Sequence, residues 1–201
     1  NAQTGFLDAF TDLRSGKQHD EPAAVLATIL AGATNLGLER MAHASSRVSH
    51  AQLTWAQTWY LRPETFADAL GRIVDAHHGL PFAQHWGAVE HSSSDGQFFA
   101  ANRGSGLINA KYGPDPGLKT YSFLSGQYGS FHSSVIGATA GEAPFVLDGL
   151  LSNPASFDPL VHYTDTGGVS DHVFALFHLL GMTFAPRLRD FPDRRLACFG
   201  S

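Results

Sequence analysis

The pattern of apolar residues changes near Gly79, and this change limits the folds that the chain can adopt. Before Gly79 the patterns are helical: residues 23–30 form an apolar run of good helix formers, and Pro63 opens a segment with apolar residues on one face. After Gly79, short β-type runs alternate with helical segments. We therefore expect a helical region over residues 1–80, followed by an α/β domain over residues 81–201.

The order of the predicted elements from Trp86 onward is strand, two strands of a hairpin or meander, helix, strand, helix, strand. The predicted strands are 88–91, 120–124, 131–136, 160–164 and 182–185. The predicted helices begin at Pro144 and at Asp171, the latter capped by Ser170. This succession is typical of a ribonuclease H-like mixed sheet with flanking helices, in which the first and fourth strands are neighbours at the centre. Residues 92–94 fit either a strand or a loop.

Two aspartates, Asp95 and Asp165, each end a predicted strand and enter a glycine-containing turn. They are 70 residues apart, which leaves room for the hairpin and the crossover helix that would bring them together. Mg²⁺ is held by one or two carboxylates while phosphate oxygens and water complete its shell, so the pair predicts a shared Mg²⁺ site, which Mn²⁺ could also fill, and phosphoryl transfer. Aspartate before glycine is also a common turn former, and both interpretations stay open at this point.

Composition indicates a globular protein. Of 201 residues, 43% are hydrophobic and 15% are charged, which excludes a disordered chain. The single cysteine, Cys198, excludes an internal disulfide, and the sequence has neither a membrane-length apolar run nor a signal pattern, so we expect a cytoplasmic protein without a membrane partner. The first residue is Asn1, and we interpret the sequence as a piece of a longer polypeptide.

The chain resembles the catalytic region of transposases of the Tn-three family, and the matching segments occur in order along nearly its whole length. The matching segments are 34–38, 40–42, 59–62, 92–98, 109–113, 131–132, 142–144, 146–150, 162–166, 171–176 and 184–187. The segments around Ser94-Asp95-Gly96 and His162-Tyr163-Thr164-Asp165-Thr166 are among them. The chain departs from the family pattern at residues 32–33 and 90–91, where Gly-Ala and Glu-His replace a common Asp-Gly and a Thr pair.

The resemblance implies an Asp-Asp-Glu catalytic triad on a ribonuclease H-like fold. Asp95 would be the first acid and a bridging metal ligand, and Asp165 would be the second acid and hold one ion. The family's Glu lies farther along after an insertion, and no Glu follows Asp165, so we expect the third acid beyond this chain and little activity from these residues alone. The implied function is metal-dependent strand nicking at transposon ends, and strand transfer into target DNA, during replicative transposition in a bacterial cytoplasm. Self-association of the full-length protein is implied as well.

The net charge of −5 gives no global signal for nucleic acid, so any DNA contact must come from local basic clusters. The candidate DNA-binding residues are Lys111, Arg187, Arg189, Arg194 and Arg195. Two aspartates dilute the arginine cluster, which can equally be a solvated turn with ion pairs.

Two other functions remain open from the sequence: a non-catalytic DNA-binding or assembly module with a degenerate site, and a small-molecule phosphohydrolase that uses the same aspartates. None of the eleven histidines has the spacing of a zinc motif, so we place none in the site. Trp55, Trp59 and Trp86 could stack on bases, but aromatic residues in apolar segments are more often part of a core.

Overall fold

Six α-helices and six β-strands are found in residues 1–101 and 106–193, the part of the chain that the computed structural model describes. The helices are Pro22–Ala33 (α1), Leu38–Ala44 (α2), His50–Trp59 (α3), Pro63–His78 (α4), Val146–Leu151 (α5) and Asp171–Leu179 (α6). The strands are His91–Ala100 (β1), Leu107–Ile108 (β2), Pro116–Ser125 (β3), Ser130–Gly137 (β4), Val161–Thr164 (β5) and Thr183–Phe184 (β6). This mixed content confirms the predicted α/β class.

The chain divides into two compact units, and the first comprises residues 1–80 and 154–156. It contains α1 to α4, and local signals explain where these helices begin. Ser49 and Gln52 form a capping box at the start of α3, and Pro63 occupies the first turn of α4. Buried apolar residues form two clusters in this unit, one around Phe10 and one around Leu53.

The second unit comprises residues 81–153 and those from 157 onward, and it contains the sheet. The strand order is β2-β3-β1-β5-β6, and β4 also pairs with β3. Strand β3 is antiparallel to β1, β2 and β4, whereas β5 runs parallel to β1 and β6 runs parallel to β5. The two strands that carry the aspartates are therefore adjacent at the centre of the sheet, as the sequence predicted.

Strand β1 differs from its prediction. The predicted strand is 88–91, with residues 92–94 as strand or loop and a turn at Asp95, but β1 begins at His91 and continues through Asp95 to Ala100. Asp95 pairs with Ser122 and Gly96 pairs with Tyr121, so both residues lie within the β1–β3 ladder. The turn interpretation of Asp95 is wrong because backbone pairing with β3 continues past the glycine.

Alternation along the strands gives the sheet two different faces. On one face Ser92, Tyr121, Phe123 and His162 are fully or almost fully buried. Residues at the intervening positions, such as Ser93, Asp95 and Tyr163, lie on the other face and are partly or fully exposed. The carboxylates of the two candidate aspartates therefore belong to the accessible side of the sheet. Among the described residues, no helix combines the length and hydropathy needed to cross a bilayer.

Candidate metal centre

Three carboxylates converge at the centre of the sheet. Asp95, Glu142 and Asp165 each offer an oxygen, and these three atoms all lie within 4.8 Å of one another. Asp95 and Asp165 are exposed, whereas Glu142 is buried. Because Mg²⁺–oxygen and Ca²⁺–oxygen distances are about 2.0–2.6 Å, oxygens with this separation can share one hard cation. Oxygen donors suit Mg²⁺ or Mn²⁺ better than a softer metal.

Asp165 lies where β5 ends. It is the N-terminal cap of the 3₁₀ turn Thr166–Gly168, and its Oδ1 accepts a hydrogen bond of 2.7 Å from the Gly167 N–H. The preceding residue, Thr164, pairs with Ser94 of β1. The parallel pairing thus places Asp165 beside Asp95, and here the predicted turn after the aspartate is confirmed.

Glu142 is the carboxylate that the sequence analysis missed. Its Oε1 forms an ion pair with Lys119 Nζ at 3.1 Å, and the two side chains are only 9% and 7% exposed. Lys119 also donates to the Ala140 carbonyl at 3.0 Å, which fixes the ammonium group from a second direction. The lysine offsets one negative charge in a cluster of three. Removing either member of such a buried pair leaves an uncompensated charge.

Two glycines make room for Glu142. A Cβ atom on Gly96 would overlap Glu142 Oε1. A Cβ atom on Gly167 would lie 2.8 Å from Glu142 Oε2, which is closer than real Cβ atoms come, and 3.0 Å from Asp165 Oδ1, which is a tight contact. The glutamate therefore fills a space between the two aspartate-bearing segments. A residue larger than glycine at position 96 or 167 would intrude into this space. The resemblance predicts a third acid only downstream of Asp165, although Glu142 lies within a matching segment.

A buried polar network lies on the core face of the same strands. The His162 ring has Nδ1 2.8 Å from Ser92 Oγ and Nε2 2.8 Å from Ser94 Oγ, and Ser94 Oγ is 2.7 Å from Tyr121 Oη. Burial lowers the pKa of His162 to about 4 and raises the pKa of Tyr121, so both side chains are neutral near pH 7. The network links β5 to β1 and engages both ring nitrogens of His162 in hydrogen bonds inside the core.

The aspartates open into a cavity of about 320 Å³. Besides the two carboxylates, Ser93, Ser122 and Tyr163 line it. A site with exposed carboxylates beside an open cavity is accessible to a large substrate such as a nucleic acid.

Of the predicted DNA-binding residues, the structure describes Lys111, Arg187 and Arg189, and none of these three is among the residues that line this cavity. The Arg187 N–H donates to the Thr164 carbonyl at 2.8 Å, so its backbone lies beside the strand that ends at Asp165, and its side chain is exposed. Arg189 and Lys111 are also exposed, and Lys111 Nζ lies 5.2 Å from the centre of the Tyr112 ring. Arg194 and Arg195 lie outside the described residues.

Comparisons with known proteins show which family the chain matches. A family model described as the Tn3 transposase DDE domain matches residues 1–201. The transposase for transposon Tn21 of Escherichia coli is 45% identical over 196 residues, covering 96% of this chain and 20% of that relative. The transposase for transposon Tn501 of Pseudomonas aeruginosa is 44% identical over the same share of both chains.

A more distant relative gives the same coverage. The transposase for transposon Tn1546 of Enterococcus faecium is 35% identical over 197 residues, covering 96% of this chain and 20% of the relative. The chain thus spans about a fifth of the length of these relatives. As its resemblance predicted, the chain belongs to the Tn3 transposase DDE-domain family.

Proposed function

We propose that this chain forms the metal-binding part of a transposase active site, which nicks DNA at transposon ends and joins the freed 3′ ends to target DNA. The observation that carries the proposal is the convergence of Asp95, Glu142 and Asp165 within 4.8 Å, in a chain that matches a transposase family over its whole length. The expected cofactor is Mg²⁺, with Mn²⁺ as a substitute. Self-association of the complete transposase and a cytoplasmic location stay predictions from the family.

The sheet supports a ribonuclease H-like architecture for this unit. The central path β3-β1-β5-β6, with β4 on the outer side of β3, combines antiparallel pairing on one side of β1 with parallel pairing on the other. In such an arrangement the first strand and the strand after the crossover helix bring their acids together. Asp95 on β1 and Asp165 at the end of β5 occupy these positions.

The exposed aspartates are the proposed metal ligands, and Asp95 and Asp165 would together hold Mg²⁺. The bound metal would activate an attacking water or 3′-hydroxyl and stabilise the departing oxygen. Asp95 and Asp165 orient this centre and need not act as general bases. Their exposure beside an open cavity leaves space for a DNA phosphate to approach.

Glu142 is assigned a positioning role. Its Oε1 is held by Lys119 and its side chain is almost completely buried, unlike the two aspartates. We propose that it keeps the segments of Gly96 and Gly167 apart and so sets the spacing of the aspartates. The third acid of the triad is still expected beyond Asp165, in sequence outside these 201 residues.

The test is to replace Asp95 or Asp165 with Asn in the complete transposase. We expect strand nicking and strand transfer to fall by a factor of about 10³ or more, since the substitution removes a charged metal ligand while binding to transposon ends is retained. Asp158→Asn is the matched control, because Asp158 is an exposed aspartate outside the cluster and should leave both activities unchanged.

The same variants separate the alternatives. Unchanged transposition in Asp165→Asn would indicate a non-catalytic DNA-binding or assembly module. Hydrolysis of a simple phosphate ester by the chain, lost in the same variant, would instead indicate a small-molecule phosphohydrolase.

A further inference from the structure

A second cavity, of about 310 Å³, adjoins the carboxylate cavity on the accessible side of the sheet. The two cavities share Ser93, Leu124 and Tyr163. We infer that this second cavity binds an unpaired nucleobase of the DNA strand next to the phosphate that is cut. The inference deepens the proposed function and rests on it, because it assigns a further subsite to the same DNA substrate.

Exposed aromatic rings line this cavity. Trp86, Tyr128 and Tyr163 are 55%, 68% and 40% exposed, and with His91 we call them the aromatic groove. The Trp86 and Tyr128 rings meet edge to face at 5.7 Å, and the Tyr163 and His91 rings lie 5.7 Å apart. The core role that we favoured for Trp86 is therefore wrong. Its ring offers accessible surface on which a base can stack.

The backbone holds the walls of the groove in place. Gln127 Nε2 donates to the Gly87 carbonyl at 3.3 Å, and the Gly126 N–H donates to the His91 carbonyl at 2.7 Å. A Cβ atom on Gly87 would lie 2.7 Å from the Gly126 oxygen, so the β3–β4 turn packs directly against the segment before β1. Tyr128 is presented by a left-handed backbone with φ of 63°. A groove built in this way loses little conformational entropy when it binds a ligand.

The chemistry of the groove fits a base better than a phosphate. No lysine, arginine, aspartate or glutamate is among the described residues that line it, so it lacks the cations that phosphate binding uses. The Ser93 hydroxyl and the His91 ring can hydrogen-bond to a base edge. Both faces of a paired base are covered by its neighbours in a duplex, so aromatic stacking favours an unpaired base.

The position of the groove selects the nucleotide. Tyr163 precedes Asp165 by two residues on the same strand face, a distance of about 7 Å. At about 3.4 Å per nucleotide step along one strand, the stacked base lies within one or two nucleotides of the phosphate at the carboxylates.

The experiment compares binding of the complete transposase to a fully paired transposon end and to ends with one unpaired base at successive positions around the cut. Chelator is present, so no cleavage occurs. We expect the unpaired base one or two nucleotides from the cut to tighten binding by about tenfold, as expected for one stacked base. The variants Trp86→Ala and Tyr128→Ala should lose this preference, and Trp86→Phe should retain it. The control Trp55→Ala, at a 52% exposed position in α3, should also retain it.

A preference that is equal in wild type and in both alanine variants would overturn the inference. So would alanine variants that weaken self-association while the base preference stays intact, because the groove would then be a protein interface. Thermal unfolding identifies a variant that fails to fold, which is not expected at such exposed positions. If Asp165→Asn still cleaves DNA while the groove variants lose the base preference, the proposed catalytic site fails and the groove stands.

Discussion

Acidification should destabilise the sheet-containing unit through one buried histidine. His162 is fully buried, and burial lowers its pKa to about 4, whereas in the unfolded chain the ring titrates near the ordinary value of 6.5. Between about pH 6.5 and pH 4, the unfolded chain therefore binds a proton at this ring that the folded chain does not bind. The contribution of the neutral His162 ring to the free energy of unfolding is fully present above pH 6.5 and is lost as the pH falls toward 4. This pKa difference corresponds to about 3 kcal/mol, with a slope of up to about 1.4 kcal/mol per pH unit.

The assay is denaturant unfolding of the purified chain at a series of pH values between 7.5 and 4.5. Replacing Trp55 and Trp59 with Phe leaves Trp86 as the fluorescent tryptophan, so the signal reports the unit that contains the sheet. His162→Phe preserves an aromatic ring between Phe123 and Phe177, whose centres lie 5.8 and 6.0 Å from that of the histidine. The variant is less stable at pH 7 because two serines lose a partner, but the measured quantity is the pH slope.

The expected result is a shallower pH dependence in His162→Phe than in the parent protein. His132 also has a pKa lowered by burial and contributes to the slope of both proteins equally, so the difference between the slopes isolates His162. His178→Gln, at an exposed position of α6, is the control and should leave the slope unchanged. Equal slopes in the parent and in His162→Phe would refute the reasoning, because the buried ring would then not be the group that titrates.

Two further predictions concern the Lys119–Glu142 pair. Lys119→Met should destabilise the protein by about 3–5 kcal/mol, because it leaves a buried carboxylate without its cation. In thermal or denaturant unfolding, the double variant Lys119→Met with Glu142→Gln should recover part of that loss. No recovery would mean that Lys119 does not stabilise the protein through its ion pair with Glu142. Gly167→Ala should weaken Mn²⁺ binding by about tenfold or more in calorimetry or electron paramagnetic resonance, because the new Cβ atom displaces Glu142 and Asp165, whereas Gly141→Ala, where a Cβ atom meets nothing within 4 Å, should bind Mn²⁺ as the parent does.

Local patterns were sufficient to predict most of the elements around the site. The helix that begins at Asp171 was predicted from its Ser170 cap, and the cap is formed, with Ser170 Oγ accepting from the Val173 N–H at 3.2 Å. Strand β5 was predicted at 160–164 and lies at 161–164. These elements could be predicted because capping and strand alternation depend on residues close in sequence.

Strand β1 could not be predicted in the same way. Ser92 and Ser94 are short polar residues with weak strand propensity, and nothing nearby in sequence indicates that they are buried. In the structure His162 lies within 2.8 Å of both hydroxyls, and Tyr121 bonds the second. A buried polar group needs a partner, and here every partner comes from another strand. The burial of β1 is therefore decided by tertiary contacts that only the folded sheet supplies.

The two glycines beside the aspartates show why the third carboxylate was also missed. In sequence, Asp95-Gly96 and Asp165-Thr166-Gly167 indicate turns, and a turn is sufficient to explain a glycine. Gly96 nevertheless lies within a strand ladder with an ordinary backbone conformation, where glycine has no conformational advantage. Its lack of a side chain is needed because Glu142 occupies the space that a Cβ atom would fill, and the same holds for Gly167. Each glycine thus leaves space for a side chain that is distant from it in sequence. A glycine within a strand and next to a candidate metal ligand is therefore a reason to search the whole chain for a buried acid, upstream as well as downstream.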